Sequence, residues 1–398
     1  MQKYPPWNGC PQDPPNLKLA NKLGLSNTEI KLLIPEPKNT PRTFWQSAWH
    51  RLKKNKGAMV GLALIIGALA VALFGYLIAP DSSPFANRII LEIGGQKPGF
   101  QQTFLQVKKP SPPAPEGMLA RLTSGKRDEL EYIPITSWES VGDSMVVQKY
   151  IDEGLTERVV YHTNMLTDNP IVRKHFFAGT DKYGRDILSR LIIGTRVSLG
   201  VGFITVIISL TVGIFLGAIA GYFRGRADNV IMWLINVIWS IPTLLLVFAI
   251  TLLLGKGFWQ VFIAVGLTMW VNVARLVRGQ VMAARELQYV EAAKTLGFSH
   301  SRIIARHILP NIMGPILVIA ASNFASAIVI EAGLSFLGVG VQPPQPSWGL
   351  MIKENYNFII TQNPMIALAP GFAIMVLVLS FNLLGNGLRD AMNVRGKL

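Results

Sequence analysis

The sequence is short of cysteine and of charge. Cys10 is the single cysteine among 398 residues, which excludes an internal disulfide framework and a cysteine-based metal cluster. Only 15% of the residues are charged, whereas a soluble domain carries about 25%. Half of the residues are hydrophobic and the mean hydropathy is +0.35, which excludes a disordered or collagen-like chain and favours a membrane protein. The charge that is present is unbalanced, with a formal net value of +15.

Long charge-free runs predict membrane-spanning helices. The first run, 57–79, holds 23 residues. As a helix it would be about 34 Å long, enough to cross a hydrocarbon core of about 30 Å. Five further runs follow, at 197–223, 229–254, 257–274, 312–330 and 364–388. Each run alone also fits a buried helix of a soluble protein, but six in one chain predict an all-α polytopic membrane protein with six transmembrane helices.

Lysine and arginine are concentrated on alternate segments between the predicted spans. Residues 1–56 hold ten Lys and Arg against three Asp and Glu, and the loop 275–311 and the C-terminal tail are also net basic. Short membrane-flanking segments rich in Lys and Arg remain in the cytoplasm, so we predict that both termini and this loop are cytoplasmic. The positive charge is therefore interpreted as a topology signal rather than a nucleic-acid-binding surface.

The N-terminal arm, 1–56, carries an amphipathic pattern next to the first span. Trp45 and Trp49 alternate with basic residues over 42–56. This mixture predicts an amphipathic helix in the membrane interface. A basic arm that binds nucleic acid is the alternative interpretation.

The segment between the first two spans has a different composition. Residues 80–178 hold eleven Lys and Arg and twelve Asp and Glu, as expected for a water-soluble piece. Short runs of β-branched and aromatic residues predict strands at 131–135, 144–151 and 157–162. We predict a strand-containing extracytoplasmic insert, which together with the segment preceding the second span occupies 80–189.

The loop 285–311 carries the most informative pattern. It is predicted to form two short helices, because Gly297 can adopt the left-handed conformation that ends the first. Ser299 is expected to cap the second helix and Pro310 to stop it. Two basic residues four positions apart lie on one face of the second helix, Arg302 and Arg306. Such a knob suits a cytoplasmic partner, and a solvated amphipathic loop is the alternative.

This loop resembles the EAA loop of ABC importer permeases, in which Glu-Ala-Ala, three residues and Gly are followed after a spacer by Leu-Pro. The matching positions are Glu291, Ala292, Ala293, Gly297, Leu309 and Pro310. His307 departs from the general pattern and is similar to the peptide-importer branch, as are the segments 179–199 and 331–349. Over 42–80 and 179–395 the chain resembles the C-type permease subunit of dipeptide and oligopeptide importers, a binding-protein-dependent transport system inner membrane component.

The resemblance implies a function without catalysis. It implies the type I permease fold of ABC importers, with the transmembrane domain at 190–395, in a bacterial inner membrane. The subunit would carry di- or oligopeptides and need no cofactor; nickel or another small solute is the alternative cargo. The sequence contains no phosphate-binding G-x-x-x-x-G-K-[ST] loop, so the ATPase must be a partner. The implied partners are a second, B-type permease, two cytoplasmic ATP-binding subunits, an extracytoplasmic substrate-binding protein and the lipid bilayer.

The resemblance also implies which loop residues couple transport to ATP. Glu291 is expected to make a polar contact with the ATPase, and Gly297 to set the turn. The predicted coupling set comprises Glu291, Ala292, Ala293, Gly297, Arg302, Arg306 and Pro310.

Polar residues within the spans are the candidates for a translocation path. They are Asn236, Ser240, Asn272, Asn323 and Asn382. For each of them a hydrogen bond between helices is the alternative role. Glycines at every fourth position, 213, 217 and 221, predict a close helix contact, either within this subunit or with a sister permease. Glu331 is expected to anchor an outer loop, and the charges at 181–186 to pair with one another.

Two other function classes would leave different patterns in the sequence. A membrane-bound enzyme requires clustered acid, base or nucleophilic side chains, and a secondary transporter favours carboxylates in the middle of its spans. Neither pattern occurs in the sequence, and no residue set has metal-ligand spacing. The sequence therefore favours a permease that is not an enzyme.

Overall fold

A computed structural model of the chain describes residues 44–110, 117–255, 257–360 and 363–392. The chain divides into two units, Met1–His50 and Arg51–Leu398. Cys10, most of the predicted N-terminal arm and the last residues of the predicted permease domain lie outside the described residues.

The described residues are mostly helical. In chain order the helices are α1 (Phe44–Lys54), α2 (Lys56–Ile78), α3 (Met118–Ser124), α4 (Ile187–Phe223), α5 (Gly225–Trp239), α6 (Thr243–Leu254), α7 (Phe258–Arg285), α8 (Gln288–Thr295), α9 (His300–Leu337), α10 (Trp348–Asn355) and α11 (Met365–Met392). Five of them, α2, α4, α7, α9 and α11, are long and apolar enough to cross a membrane. Helices α5 and α6 add a sixth span if the bent pair counts as one.

The run 229–254, predicted as one span, is broken in the structure. Helices α5 and α6 meet at an angle of 91°. The break falls at Ser240–Pro242, where Pro242 precedes the first residue of α6. Proline has no backbone N–H and its ring clashes with the preceding turn, so a straight helix cannot continue through this point.

Helix α9, by contrast, continues through a point where a helix end was predicted. Pro310 was expected to stop the second helix of the loop, and this prediction was wrong, because the helix runs from His300 into the fifth apolar run. A π-helical segment at Ile303–Ile308 and a 3₁₀ turn at Leu309–Ile312 come before the regular α-helix. Pro310 lies in the first turn of the 3₁₀ segment, where its missing N–H costs least.

Helices α4 and α7 approach each other closely at the glycines of α4. A Cβ added at Gly213 would lie 2.5 Å from the Cβ of Val273, and one added at Gly217 would lie 2.5 Å from the carbonyl oxygen of Ala274. Only glycine permits the two backbones to approach this closely. The glycine face therefore packs within the subunit, which decides between the two alternatives left by the sequence.

Residues between α2 and α4 form a five-stranded antiparallel sheet. Its strands are β1 (Phe100–Lys108), β2 (Leu130–Val141), β3 (Ser144–Asp152), β4 (Leu155–His162) and β5 (Leu166–Phe176), in the spatial order β4-β3-β2-β1-β5. Leu105, Ile135 and Val147 are buried together on one face. The three predicted strands correspond to β2, β3 and β4, while β1 and β5 were not predicted.

Candidate functional site

Helix α8 and the first turns of α9 form a helical knob, residues 288–312. Its inner side is apolar, since Val290 and Ala293 are buried against Ile303 and Ile308. Gly297 has φ +75°, as predicted for the residue that ends α8. The N–H of the next residue, Phe298, donates to the carbonyl of Ala293 at 3.1 Å, which closes the turn.

The knob is attached to the end of α4 by a polar contact that the sequence alone did not reveal. The hydroxyl of Tyr222 lies 2.9 Å from Nδ1 of His300. Arg285, the last residue of α7, donates to the carbonyl of Tyr222 at 2.6 Å and so joins the ends of α4 and α7. The rings of Phe298 and His307 stack with centroids 5.7 Å apart. The apolar side of the knob also belongs to one buried cluster with Val281 and Ala284 of α7, so a displacement of the knob would act on the ends of both helices.

The outer surface of the knob is exposed and mixed in character. Leu296 is 72% exposed, and Leu287, which directly precedes the knob, is 50% exposed. The predicted coupling residues on this surface are Glu291, Ala292, Arg302, Arg306 and Pro310. Within the described part of the chain Glu291 forms no ion pair. Of the other two predicted residues, Ala293 supports the knob from inside and Gly297 forms its turn.

A cavity of about 410 Å³ lies among α5, α6, α7, α9 and α11. Its polar lining consists of Trp239, Thr243, Thr268, Asn272, Ser326 and Asn382. The rest of its lining is apolar, and no charged side chain lines it within the described residues. Amide and hydroxyl groups in an otherwise apolar wall can bind a polar solute without selecting for its charge.

The five residues predicted for a translocation path separate into three groups. Asn272 and Asn382 line the cavity. Asn236 and Ser240 lie nearby on α5 and at its end but are not part of the lining. Asn323 is buried and its Nδ2 lies 3.4 Å from the hydroxyl of Ser209, so it bonds between helices instead. Trp239 and Thr243 were not predicted, and their position beside Pro242 is the signal that could have identified them.

A second cavity of about 410 Å³ lies among α7, α9 and α11, three of the five helices that line the first. It is lined by Leu276, Ser322 and Arg389 among others. Leu276 and Ser322 lie about one turn of their helices from Asn272 and Ser326 of the first cavity. The two cavities are thus neighbours along α7 and α9.

At the start of α4 lies a buried cluster of four charges. Arg185 donates to Asp181 at 2.6 Å and to Glu354 of α10 at 2.6 Å. Arg190 reaches the same Glu354 oxygen at 3.2 Å. Pairing within 181–186 is therefore confirmed, but the sequence did not predict that Glu354 completes the cluster.

Glu331 has the anchoring role expected from the sequence. Its carboxylate accepts a hydrogen bond from the hydroxyl of Ser335 at 2.6 Å. The same hydroxyl accepts from the backbone N–H of Val341 at 3.0 Å, which ties the segment after α9 to the helix.

Apolar helices around an uncharged cavity, with an exposed helical knob at one end, define a multi-pass membrane protein of the transport class. Residues 213–395 match the family of binding-protein-dependent transport system inner membrane components, and residues 43–92 match the N-terminal transmembrane domain of oligopeptide transport permease C.

Relatives extend this match over most of the chain. The glutathione transport system permease protein of Pectobacterium atrosepticum is 41% identical over 55% of this chain and 72% of its own length. The dipeptide transport system permease protein of Alkalihalophilus pseudofirmus is 36% identical over 74% of this chain and 97% of its own. That of Bacillus subtilis is 31% identical over 88% of this chain and 86% of its own. A chain of the inward-facing MetNI methionine ABC transporter is 18% identical, with a TM-score of 0.43, covering 52% of this chain and 96% of that one.

The chain belongs to the binding-protein-dependent transport system inner membrane components, as a permease subunit of the ABC peptide-transport type. Members of this family are transport permease subunits, not enzymes.

Proposed function

We propose that this chain forms part of the pathway by which di- or oligopeptides are imported, driven by separate ATP-binding subunits. The family membership supports transport, and relatives whose names specify dipeptides support the cargo. The cavity of about 410 Å³ adds physical support, because its uncharged amide and hydroxyl groups match peptide bonds. Such a wall would accept peptides with different side chains.

The topology we propose has six spans, with the bent pair α5 and α6 as the third. Both termini and the knob then face the cytoplasm of a bacterial cell, and the sheet lies outside. The arm 1–56, the first span 57–79, the outer region 80–189 and the permease domain 190–395 are the corresponding functional units. The basic residues near α1 and α2 support this orientation, because Lys and Arg are retained on the cytoplasmic side.

The exposed knob is the observation that carries the coupling proposal. Its buried side is packed against α7 and α9, so its exposed side is available to an ATP-binding subunit. Leu287 and Leu296 would supply apolar contacts, and Glu291 a charge that has no partner within the described chain. A second permease, two ATP-binding subunits and an external binding protein complete the proposed assembly.

The test is ATP-dependent uptake of a labelled dipeptide by the assembled transporter, together with co-purification of its ATP-binding subunits. Glu291→Ala should lower both, because it removes a contact at the interface. Glu286→Gln is the control, since Glu286 is also exposed but already pairs with Arg224 at 2.5 Å. Unchanged uptake and unchanged complex yield in Glu291→Ala would contradict the coupling role.

A further inference from the structure

Helix α7 carries an arginine that no carboxylate neutralises within the described residues. Arg275 forms no ion pair there. Arg278, one turn further along α7, is bound by both carboxylate oxygens of Asp228, with Nη2 to Oδ2 at 2.7 Å. A charged side chain on a spanning helix is costly, and it marks a functional site when it lacks a structural counter-charge.

Arg275 belongs to a chain of four contacting side chains that joins α5 to α7. Its guanidinium lies 3.6 Å from the centre of the Trp239 ring, and its Nη2 donates to Oδ1 of Asn236 at 3.0 Å. Trp239 in turn donates from Nε1 to Oδ1 of Asn272 at 3.1 Å. The two residues from each helix are three positions apart, which places them on the same face of their helix.

Two members of this chain of side chains lie between the arginine and the uncharged cavity. Trp239 and Asn272 line the cavity, whereas Arg275 does not. Nε of Arg275 is buried without a hydrogen-bond partner, so the guanidinium retains donor capacity that the present conformation leaves unused. Trp239 is the last residue of α5, next to the 91° break, and its ring is half exposed. The Trp239 ring thus covers the guanidinium at a point where the helix is already broken.

We propose that Arg275 is a carboxylate-binding site on the translocation path, uncovered when Trp239 moves away from the guanidinium. Its ligand is the C-terminal carboxylate of the transported peptide, an inference that rests on the proposed peptide-import function. A planar guanidinium binds a carboxylate through two parallel hydrogen bonds, and Nε with the second hydrogen of Nη2 provides such a pair.

The terminal carboxylate of a peptide explains why a single cation would lie beside a cavity whose lining is uncharged. Every unmodified peptide has one terminal carboxylate, whatever its side chains are. The amide and hydroxyl lining would then contact the backbone, while Arg275 holds the end of the chain. A carboxylate would also neutralise the arginine, which no acidic side chain does within the described chain.

The experiment compares two probes, dialanine and dialanine amide, in the complete transporter reconstituted with its binding protein. ATP-dependent uptake is measured for the wild type, Arg275→Gln and Arg226→Gln. Arg226 is an exposed arginine at the other end of α5, so its change removes the same charge. The ratio of variant to wild-type rate is taken for each peptide separately, so that delivery by the binding protein cancels.

For Arg275→Gln the ratio should fall at least about tenfold for dialanine, the low end for a hydrogen bond between charged groups. It should remain near one for dialanine amide, and Arg226→Gln should leave both ratios near one. Equal ratios for the two peptides in Arg275→Gln would show a structural role only and overturn the proposal. If Arg275→Gln fails to assemble, Arg275→Lys is tested instead. Lysine keeps the charge but cannot form two parallel hydrogen bonds with a carboxylate. If Arg275→Lys prefers dialanine over dialanine amide as strongly as the wild type does, the two-bond geometry is overturned.

If the wild type takes up neither dialanine nor dialanine amide in an ATP-dependent manner, the proposed function is overturned, and this inference with it. Uptake by the wild type with equal variant ratios would overturn the inference alone.

Discussion

Replacing Gly217 with alanine tests whether the close contact between α4 and α7 holds the helical bundle together. The added Cβ would lie 2.5 Å from the carbonyl oxygen of Ala274 and 2.9 Å from the Cβ of Val277. Carbon atoms in ordinary contact are about 3.5 Å apart or more, so the overlap with Val277 is roughly 0.6 Å.

The overlap cannot be relieved by rotating a side chain. One of the clashing atoms belongs to the backbone of α7, and Val277 is fully buried. The helices must therefore separate over several turns, which loosens the neighbouring contacts of Gly213 and Gly221 as well. Overpacking of this kind costs about 1–3 kcal/mol, a large part of a total stability of about 5–15 kcal/mol.

The measurement is the unfolding free energy of the purified protein in detergent, by denaturant titration or by its thermal midpoint. Gly200→Ala is the matched control, because Gly200 lies on the same helix and an added Cβ there meets no atom within 4 Å. The control should be neutral or gain up to about 1 kcal/mol, since alanine restricts the unfolded chain. Equal stability of the two variants would refute the packing argument.

Three further changes have defined outcomes. Glu354→Gln leaves the buried Arg185 and Arg190 with one carboxylate. It should lower the free energy of unfolding by about 3–5 kcal/mol, measured as a lower thermal midpoint. Burial lowers the pKa of Lys174 from 10.5 to about 8, so between these pH values the unfolded chain binds more protons and stability rises with pH. Lys174→Met should therefore be more stable than the wild type below pH 8, and lose that advantage towards pH 10 in melting curves. Gly297→Val forces a β-branched residue into φ +75°, and should reduce ATP-dependent uptake by distorting the knob.

Each control residue either neighbours the substituted residue in the chain or has a similar backbone conformation. Lys353→Gln alters the exposed neighbour of Glu354 and should leave the melting temperature within a degree or two. A stability difference between Lys174→Met and wild type that does not vary with pH would contradict the burial of a charged lysine. Gly99 has φ +85° with open space around it, so Gly99→Val strains a turn of the insert to a similar degree. Equal loss of uptake in this variant and Gly297→Val would contradict a specific effect of the knob.

Features that depend on neighbouring residues in sequence were predictable. Five of the six apolar runs lie in long helices, because a long charge-free stretch in a bilayer must satisfy its backbone hydrogen bonds internally. Gly297 takes the left-handed conformation expected of it, since only the local backbone decides whether a residue without a Cβ ends a helix there.

Other features depended on residues far apart in sequence. Strand β5 contains Asp168, Asn169 and Pro170, which favour turns, and it forms because it pairs with β1 at the edge of the sheet, where proline is tolerated. Pro310 lies inside a helix because π-helical and 3₁₀ turns absorb its missing hydrogen bond.

The sequence by itself determined that this is a polytopic helical protein with a basic, exposed loop of two helices, because solvent and local backbone chemistry dictate those properties. Only the tertiary structure decided which polar residues share a cavity. Asn272 faces it and Asn323 does not, although both are asparagines on apolar helices. The stacking of Arg275 on Trp239 likewise follows from the packing of α5 against α7, because side chains on two helices meet only where those helices are in contact.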